Sequence, residues 1–338
     1  MCTAITYTTK DNYFGRNLDL DFSYNETVTI CPRNYPFSFR HQGENNSHFA
    51  MIGMATVVAD YPLYYEAVNE KGLGMAGLNF PENADYKEVA EGKDNLASFE
   101  LIPWFLSQCQ SVAEVKKLCQ NLNVTNEAFS DDFQPSPLHW LIADRNEAIV
   151  LESVASGLKV YDNPTGVLTN NPTFDKQLFN LNNYRHVSPK VSDNLFSTEI
   201  TLDTYSRGMG GLGLPGDLSS MSRYVKVAFT KLNSVAEDTE VSSVNQFFHI
   251  LKSVEQQKGL CYVDESGKYE YTIYSSCINT EKGIYYYTTY DNSQITAVDM
   301  HKENLDNNKL VTYPLIKDWQ VNYQAKFQVQ ISQSVKTL

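Results

Sequence analysis

Segments with the alternating pattern of β-strands stand at both ends of this chain, and segments with a helical pattern lie between them. Residues 3–8 alternate polar and apolar side chains, break at 10–12 and resume at 13–20, which predicts a β-hairpin with one buried face. Cys2 stands at the head of its first strand. Further strands are predicted over 49–59 and 64–80, with a turn at Asn69–Gly72. Strand-rich ends of this kind are expected to pair within neighbouring sheets.

The middle of the chain carries three helical patterns. A helical block runs from about Ser98 to Leu122, with Ser98 and Ser111 as candidate N-caps. A second helix over 219–232 has a core stripe at helical spacing, and a third covers 241–256. The stripe consists of Met221, Tyr224, Val225, Ala228, Phe229 and Leu232. The strands predicted between and after these helices are 138–144, 148–154, 157–162, 166–170, 268–277, 283–292 and 294–300.

This order of elements predicts one α+β domain over residues 1–338, a sandwich of antiparallel sheets covered by helices. The length alone would allow two domains, but the chain has no Pro/Ser-rich linker and no repeat. A segment at about 184–215 is interpreted as an excursion from the domain, with oligomer assembly as a hypothesis for its use.

The charge balance excludes one class of partner. Lys and Arg total 27 against 40 Asp plus Glu, so the net charge of −13 argues against nucleic acid as a partner. The sequence shows neither an export signal nor a long apolar stretch, and we expect a cytoplasmic protein without membrane insertion. The six cysteines lie far apart and suggest neither a zinc site nor a disulfide scaffold. We therefore expect no metal and no cofactor.

Several motifs are interpreted as structural. Gly208, Gly210 and Gly213 match a dinucleotide-binding glycine pattern, but a shaped loop is favoured because no apolar strand precedes them. His139 and His249 stand in apolar runs typical of hydrogen-bonded core histidines. The Asp19–Asp21 cluster is interpreted as a solvated face rather than as a metal pair.

Cys2 is a candidate nucleophile that would carry its own base. A thiol reacts as its thiolate, and the α-amine of an N-terminal residue, with an ordinary pKa of about 7.7–8.0, can accept the proton near neutral pH. This chemistry requires removal of Met1, which the small Cys2 side chain permits. Arg16 and Asp19 lie on the strand expected to pair with the Cys2 strand, where Arg would favour the thiolate and Asp could hold the ammonium. Taken alone, these residues still favour an ordinary buried cysteine and a surface ion pair.

Six motifs in order resemble the choloylglycine hydrolase family, which contains bile salt hydrolases and penicillin V acylases. They are MCTAI, FGRNLDL, NEKGLGMAGLNF, GVLTNNPTFD, GGLGLPGDLSSMSR and YTIYSSC, and they extend through nearly the whole chain. The resemblance implies an N-terminal-nucleophile hydrolase with a four-layer αββα sandwich that cleaves a non-peptide amide by acyl transfer. It also implies a homotetramer.

The resemblance assigns a role to each matching residue. It implies that Cys2 is the nucleophile, that Arg16 and Asp19 position and polarise it, and that Arg223 organises the site from a distance. Asn79 and Asn170 would lie near the tetrahedral oxyanion. Taken alone, Asn79 would be a turn residue, Asn170 a strand-end cap and Arg223 a solvated helix residue.

The substrate preference follows from position 79. Bile salt hydrolases of the family carry Asn there, as this chain does, whereas penicillin V acylases tend to carry Tyr. The expected substrate is therefore an amphipathic bile salt conjugated to glycine or taurine, with penicillin V as the alternative and a non-catalytic steroid-binding protein as the alternative from another class. The apolar wall for the steroid is expected from Leu18, Phe22, Tyr24, Tyr65, Phe129 and Phe133.

Overall fold

A computed structural model describes residues 1–263 and 267–324 of the chain. The strands, numbered in chain order, are β1 (Cys2–Thr8), β2 (Asn12–Leu20), β3 (Thr27–Cys31), β4 (Phe37–Phe39), β5 (Gly43–Asn45), β6 (Met51–Val58), β7 (Tyr61–Asn69), β8 (Gly74–Asn79), β9 (Asp94–Ala97), β10 (Leu122–Thr125), β11 (Leu138–Ala143), β12 (Ala148–Val154), β13 (Gly157–Asp162), β14 (Val167–Leu168), β15 (Cys261–Tyr262), β16 (Tyr269–Asn279), β17 (Ile284–Thr289), β18 (Thr296–Asp299) and β19 (Val311–Pro314). The α-helices are α1 (Leu101–Gln108), α2 (Val112–Cys119), α3 (Phe174–Asn180), α4 (Ser220–Asn233) and α5 (Glu240–Lys252).

Two antiparallel sheets form the centre of the fold. Sheet I has the strand order β14-β1-β2-β16-β17-β18, with β15 paired to β16. Sheet II has the order β13-β12-β11-β8-β7-β6-β3-β19. Strands β1 and β2 of sheet I pack on β7 and β8 of sheet II. The first and last parts of the chain therefore meet inside sheet I, where β2 and β16 are neighbours.

Helices cover the outer face of each sheet. Helices α4 and α5 lie on sheet I, against β1, β2, β14 and β16, while α1 lies on β7 and β8 of sheet II. One apolar core lies between the sheets and under α4 and α5, and a second lies between sheet II and α1 and α2. The four-layer αββα sandwich expected from the sequence is confirmed.

The β1–β2 hairpin explains how the N-terminus reaches the centre of a sheet. Its register pairs Cys2 with Leu18 and Ala4 with Arg16, and the hairpin closes at Thr8 and Asn12, as the alternating pattern predicted. The strand β16 then approaches β2 so closely that a Cβ atom on Gly15 would lie 2.1 Å from a backbone oxygen of β16. Glycine at this position therefore permits the contact that fixes β2 between β1 and β16.

Several local predictions differ from the structure. The predicted helical block breaks into a 3₁₀ turn at Ser98–Glu100, then α1 and α2, and Ser111 alone acts as an N-cap. Leu232 of the predicted stripe is 60 % exposed, because the buried face of α4 carries Arg223 and Val227 instead. The strands β3, β4, β5, β9, β10, β15 and β19 and the helix α3 were not predicted.

The structure agrees with some of the structural interpretations and differs from one of them. The glycine motif forms a loop with a 3₁₀ turn at Met209–Gly211, as expected. His139 is buried and stacks on Phe80, as expected, but His249 lies on the exposed face of α5. The predicted excursion contains that 3₁₀ turn and exposes large apolar side chains.

Candidate active site

Cys2 lies at the start of β1 with only 2 % of its surface exposed. Its backbone N–H donates to Oδ1 of Asn170 at 2.8 Å. This nitrogen becomes the α-amine once Met1 is removed. The nitrogen that is expected to act as general base is therefore hydrogen-bonded to the Asn170 side chain before Met1 is removed.

A cavity of about 560 Å³ opens beside Cys2. Arg16 and Asn79 line it together with Cys2, and so do five of the six residues proposed for the steroid wall. These five are Leu18, Tyr24, Tyr65, Phe129 and Phe133. Phe22 is 46 % exposed and, among the described residues, is not part of the lining; its ring packs on Tyr24 at 4.5 Å between centroids.

Arg16 lies on the same face of the hairpin as Cys2 and is completely buried. Its Nη1 donates to the backbone oxygens of Gly77 at 2.6 Å and Tyr65 at 3.1 Å. Its Nη2 has no hydrogen-bond partner within the described parts of the chain. Burial alone would lower the pKa of Arg16, but the acidic groups around it, beginning with Cys2, outweigh burial and raise it. Arg16 therefore brings a permanent charge to the cavity lining and keeps one buried donor unused.

Asp19 is also completely buried, which corrects the interpretation of the Asp19–Asp21 cluster as a solvated face. Its Oδ1 accepts from the Thr272 hydroxyl at 2.6 Å, whereas Oδ2 has no partner among the residues the structure describes. Burial raises the pKa of the Asp19 carboxyl, and Arg223 and the N-terminal ammonium oppose that rise. Close to the N-terminus, Oδ2 of Asp19 can thus accept a further hydrogen bond.

Asn170 connects the groups around the Cys2 nitrogen. Its Oδ1 accepts from the Cys2 N–H and, at 2.7 Å, from Nη2 of Arg223. Its Nδ2 donates to the backbone oxygen of Asn79 at 2.7 Å. These bonds fix the amide orientation of Asn170. They also connect Asn79, which lines the cavity, to the same hydrogen-bond network.

Arg223 is completely buried, so the interpretation as a solvated helix residue is wrong. Its Nη1 donates to the backbone oxygen of Cys2 at 2.5 Å and to the Thr3 hydroxyl at 2.7 Å, while Nε donates to the Leu218 oxygen at 2.9 Å. Burial lowers the pKa of Arg223, with Asp19 and Cys2 acting against it. Arg223 therefore touches the Cys2 residue directly rather than acting from a distance.

Met1 is tied to this arrangement through its ammonium group. Its ammonium donates to the backbone oxygen of Asp19 and to Oε2 of Glu270, both at 2.7 Å. With Met1 in place, the Cys2 nitrogen is an amide and cannot accept a proton. Removal of Met1 would convert that amide into an amine beside Asn170.

Sequence reasoning missed three residues of this arrangement, Thr3, Thr272 and Glu270. Thr3 and Thr272 lie in quoted motifs, but only the pairing of β2 with β16 shows that Thr272 faces Asp19 across the sheet. Glu270 stands two residues earlier on the same strand. The strand register could have identified these residues, but the register can be assigned only when the long-range pairing of β2 with β16 is known.

Within residues 1–263 and 267–324, no group of three or more His, Cys, Asp or Glu side chains could hold a metal ion. No helix in the same ranges has the length and apolar character to cross a membrane.

Comparison with known proteins gives matches over nearly the whole chain. A sequence model of the linear amide C–N hydrolases, choloylglycine hydrolase family, matches residues 2–313. The chain is 62 % identical over 315 residues to a bile salt hydrolase/transferase of Lactiplantibacillus plantarum, covering 93 % of this chain and 97 % of that protein. It is 40 % identical over 328 residues to a bile salt hydrolase/transferase of Clostridium perfringens, covering 96 % and 99 %.

Solved structures agree with the fold. The chain superimposes on a mutant conjugated bile acid hydrolase from Clostridium perfringens with a TM-score of 0.88 at 38 % identity, covering 96 % of this chain and 99 % of the other. It superimposes on a penicillin V acylase from Agrobacterium tumefaciens with a TM-score of 0.72 at 19 % identity, covering 93 % and 91 %. The second likeness concerns the fold alone.

Proposed function

This chain belongs to the choloylglycine hydrolase family of linear amide C–N hydrolases, and on that premise we propose that it hydrolyses the amide bond of glycine- or taurine-conjugated bile salts with Cys2 as nucleophile. The observation that carries the proposal is the position of Cys2. The backbone nitrogen of Cys2 is hydrogen-bonded to Asn170, and Cys2 lines the cavity together with Arg16 and Asn79. Relatives named for bile salt hydrolysis support the substrate class.

The cavity suits a rigid amphipathic molecule. Its volume of about 560 Å³ lies within the usual range for small-molecule sites, and its aromatic lining includes Tyr65, Phe129 and Phe133. The steroid would pack on this apolar wall, and its amide would lie near Cys2. We keep Asn79 as the residue that favours bile salts over penicillin V.

The proposed reaction proceeds by acyl transfer in two steps. After Met1 is removed, the Cys2 α-amine takes the thiol proton, and the thiolate attacks the amide carbonyl carbon to form a tetrahedral oxyanion. The C–N bond then breaks as the ammonium returns the proton to the leaving nitrogen, which departs as glycine or taurine. Water adds to the remaining thioester, breaks the C–S bond and releases the free bile acid with the Cys2 thiol restored.

The polar groups have separate tasks in this reaction. The Asn79 side chain and the Arg16 guanidinium, whose residues line the cavity, would stabilise charge that develops there. Asp19 would hold the ammonium of Cys2 through its unpartnered Oδ2. Asn170 and Arg223 would hold the Cys2 backbone still while the thiol reacts.

The test compares protein with and without Met1. Intact mass establishes the state of the N-terminus, and release of glycine or taurine from conjugated bile salts measures turnover. We expect turnover only after Met1 is lost, and none for Cys2→Ala. Normal turnover by protein that retains Met1 would contradict the role of the amine, and undiminished turnover by Cys2→Ala would contradict the nucleophile.

The same assay separates the alternatives. A higher kcat/KM for penicillin V than for both bile salt conjugates would show that the substrate class is wrong. Tight binding of bile salts without release of glycine or taurine by the mature protein would indicate a steroid-binding protein instead.

We also propose that the chain is a single domain that assembles as a homotetramer through the segment 184–215. Leu195, Phe196 and Tyr205 of this segment are 88 %, 80 % and 79 % exposed, and large exposed apolar side chains support the use of this segment in association. Light scattering after size exclusion would measure the assembly. Leu195→Asp combined with Phe196→Asp should reduce its mass, and an unchanged mass would exclude this surface.

A cytoplasmic location is proposed as well. The six cysteines are all free, and Cys2 must stay reduced to act, which suits a reducing compartment. Cell fractionation that finds the activity outside the cytoplasm would overturn this proposal.

A further inference from the structure

Glu66 carries a carboxyl group that is completely shielded from solvent between the two sheets. It belongs to β7 of sheet II, but all three hydroxyl groups that donate to it come from sheet I. Oε2 accepts from Tyr274 at 2.7 Å, and Oε1 accepts from Ser276 at 3.0 Å and Tyr285 at 2.5 Å. Three convergent donors are the environment of a carboxylate rather than of an apolar core residue.

Arg16 is the cation that accompanies this buried carboxylate. Its Nε lies 3.9 Å from Oε2 of Glu66, and both side chains are almost fully shielded from solvent. Burial raises the pKa of Glu66, while Arg16 and the three hydroxyl donors oppose the rise. A buried carboxylate is costly unless a charge or donors compensate it, and here both are present.

Arg16 therefore lies next to Glu66 and also lines the cavity. Its Nη1 is held by the backbone oxygens of Gly77 and Tyr65, which leaves Nη2 without a partner in the described chain. Cys2 and Arg16 line the same cavity. The charge of the guanidinium thus interacts with both the Glu66 carboxyl group and the Cys2 thiol.

The other titratable groups around this pair come from several elements. Those that interact with the Arg16 charge are Cys2 of β1, Asp19 of β2, Tyr65 and Glu66 of β7, Tyr274 of β16 and Tyr285 of β17. Arg223 of α4 is the second cation close to Cys2. Among these acidic groups, Glu66 is the one with a salt-bridge contact to the Arg16 guanidinium.

We propose that Glu66 is a positioning residue for Cys2 chemistry that acts through Arg16: its carboxylate limits how much of the positive charge of the guanidinium acts on the Cys2 thiol. This inference rests on the proposed role of Cys2 as nucleophile. Glu66 itself is not among the described residues that line the cavity, so its effect passes through Arg16, which is.

The sign of the effect follows from electrostatics. Glu66→Gln keeps the shape of the side chain but removes its negative charge. The two backbone oxygens that hold Nη1 remain, so Arg16 stays in place and its charge acts on the thiol without compensation. The thiolate of Cys2 is then favoured at lower pH. Glu66→Asp keeps the charge and should behave like the wild type.

The experiment measures alkylation of Cys2 by iodoacetamide in protein whose loss of Met1 has been verified by intact mass. The rate is followed over about pH 5 to 10, and peptide mass identifies Cys2 as the site. We expect Glu66→Gln to move the midpoint of this profile downwards by about half a unit to one unit. Glu66→Asp should restore the wild-type midpoint. An unmoved midpoint, or one that rises, would overturn the proposal.

A matched control separates this effect from loss of a buried carboxylate in general. Glu100 is 1 % exposed, and its carboxylate accepts from the backbone N–H groups of Arg40 and Ala97 at 2.9 Å. It does not belong to the groups that interact with Arg16. Glu100→Gln should therefore lower thermal stability but leave the alkylation midpoint unchanged, and an equal shift in this variant would contradict a specific role for Glu66.

Two further outcomes keep the test decisive. If Glu66→Gln does not fold, Tyr285→Phe removes one donor that favours the carboxylate, and a smaller downward shift is expected; no shift would overturn the proposal. If wild-type protein keeps full turnover after Cys2 is completely alkylated, the nucleophile assignment fails, whereas the midpoints still decide the role of Glu66.

Discussion

Two buried arginines flank Cys2, one on the cavity side of the β1–β2 hairpin and one on the helix side, and they are held differently. Arg16 on the cavity side lies near a carboxylate and keeps one terminal nitrogen without a partner in the described chain. Arg223 on the helix side donates from Nε, Nη1 and Nη2, and every one of its acceptors is an uncharged oxygen. It has no carboxylate within 4.0 Å among the residues described.

This difference separates two tasks of a buried cation. A guanidinium whose donors are all used fixes the groups that accept from it, which suits Arg223 as the support of the Cys2 backbone and Asn170. A guanidinium with a spare donor beside a cavity can interact with charge that develops during a reaction, which suits Arg16. The helix side is thus expected to affect mainly stability, and the cavity side mainly turnover.

Arg16→Met should give the largest loss of activity. It removes the spare donor and the positive charge at the cavity, so kcat/KM for conjugated bile salts should fall about 100- to 1,000-fold. Thermal stability should fall less than in the Arg223 variant below, since Glu66 can take up a proton and keep its hydroxyl partners. Steady-state kinetics and thermal unfolding measure the two effects, and a folded variant with near-normal kcat/KM would contradict the assignment.

Arg223→Met tests the helix side. Four acceptors would lose their donor in the buried interior, so the free energy of unfolding should fall by about 3–5 kcal/mol. The fraction that remains folded should keep measurable turnover, reduced by about tenfold because Asn170 and Cys2 are less well fixed. Denaturant titration and kinetics in the same buffer check this. If both arginine variants lose stability and turnover in the same proportion, the division into two sides is wrong.

Substitutions of Phe129 and Phe22 test which aromatic side chains form the substrate-binding wall of the cavity. Phe129 lines the cavity and packs on Tyr61 and Phe99, whereas Phe22 is exposed and contacts Tyr24. Phe129→Ala should raise KM by about tenfold through lost apolar contact, with a smaller change in kcat. Phe22→Ala should change KM by less than about twofold. Equal effects of the two substitutions would show that Phe22 closes over bound substrate.

The sequence predicted the layers of the fold because alternating and helical patterns are local. It also brought Cys2, Arg16, Asp19, Asn79, Asn170 and Arg223 together as a set, but through the resemblance rather than through their spacing. The register that places Thr272 on Asp19 depends on β2 meeting β16 across about 250 residues of chain, and the contact of Ser276 with Glu66 depends on how the two sheets pack; no local pattern encodes either. Strands β3 and β19 were missed for a related reason, since each is short and is stabilised by its partners in sheet II.

The smallest effect is expected at Lys231, a second cation held on the helix side by uncharged oxygens. Its Nζ donates to the backbone oxygen of Thr165 and the hydroxyl of Thr6, and burial lowers the pKa of this amine from 10.5 to about 8. Below about pH 8 both the folded and the unfolded chain carry the proton, so the folded state bears the full cost of a buried ammonium. Between about pH 8 and 10.5 the folded state loses the proton first, and stability should rise with pH.

The measurement compares the melting temperature of the wild type with that of Lys231→Met across this range, so that other titrating groups cancel. The variant should melt a few degrees higher at pH 7, and the difference should shrink towards zero as the pH approaches about 10.5. Lys226→Met, on the same helix, reports the general effect of removing one positive charge. A difference at Lys231 that stays constant with pH would show that uncharged oxygens alone compensate the buried ammonium, which would strengthen the same explanation for Arg223.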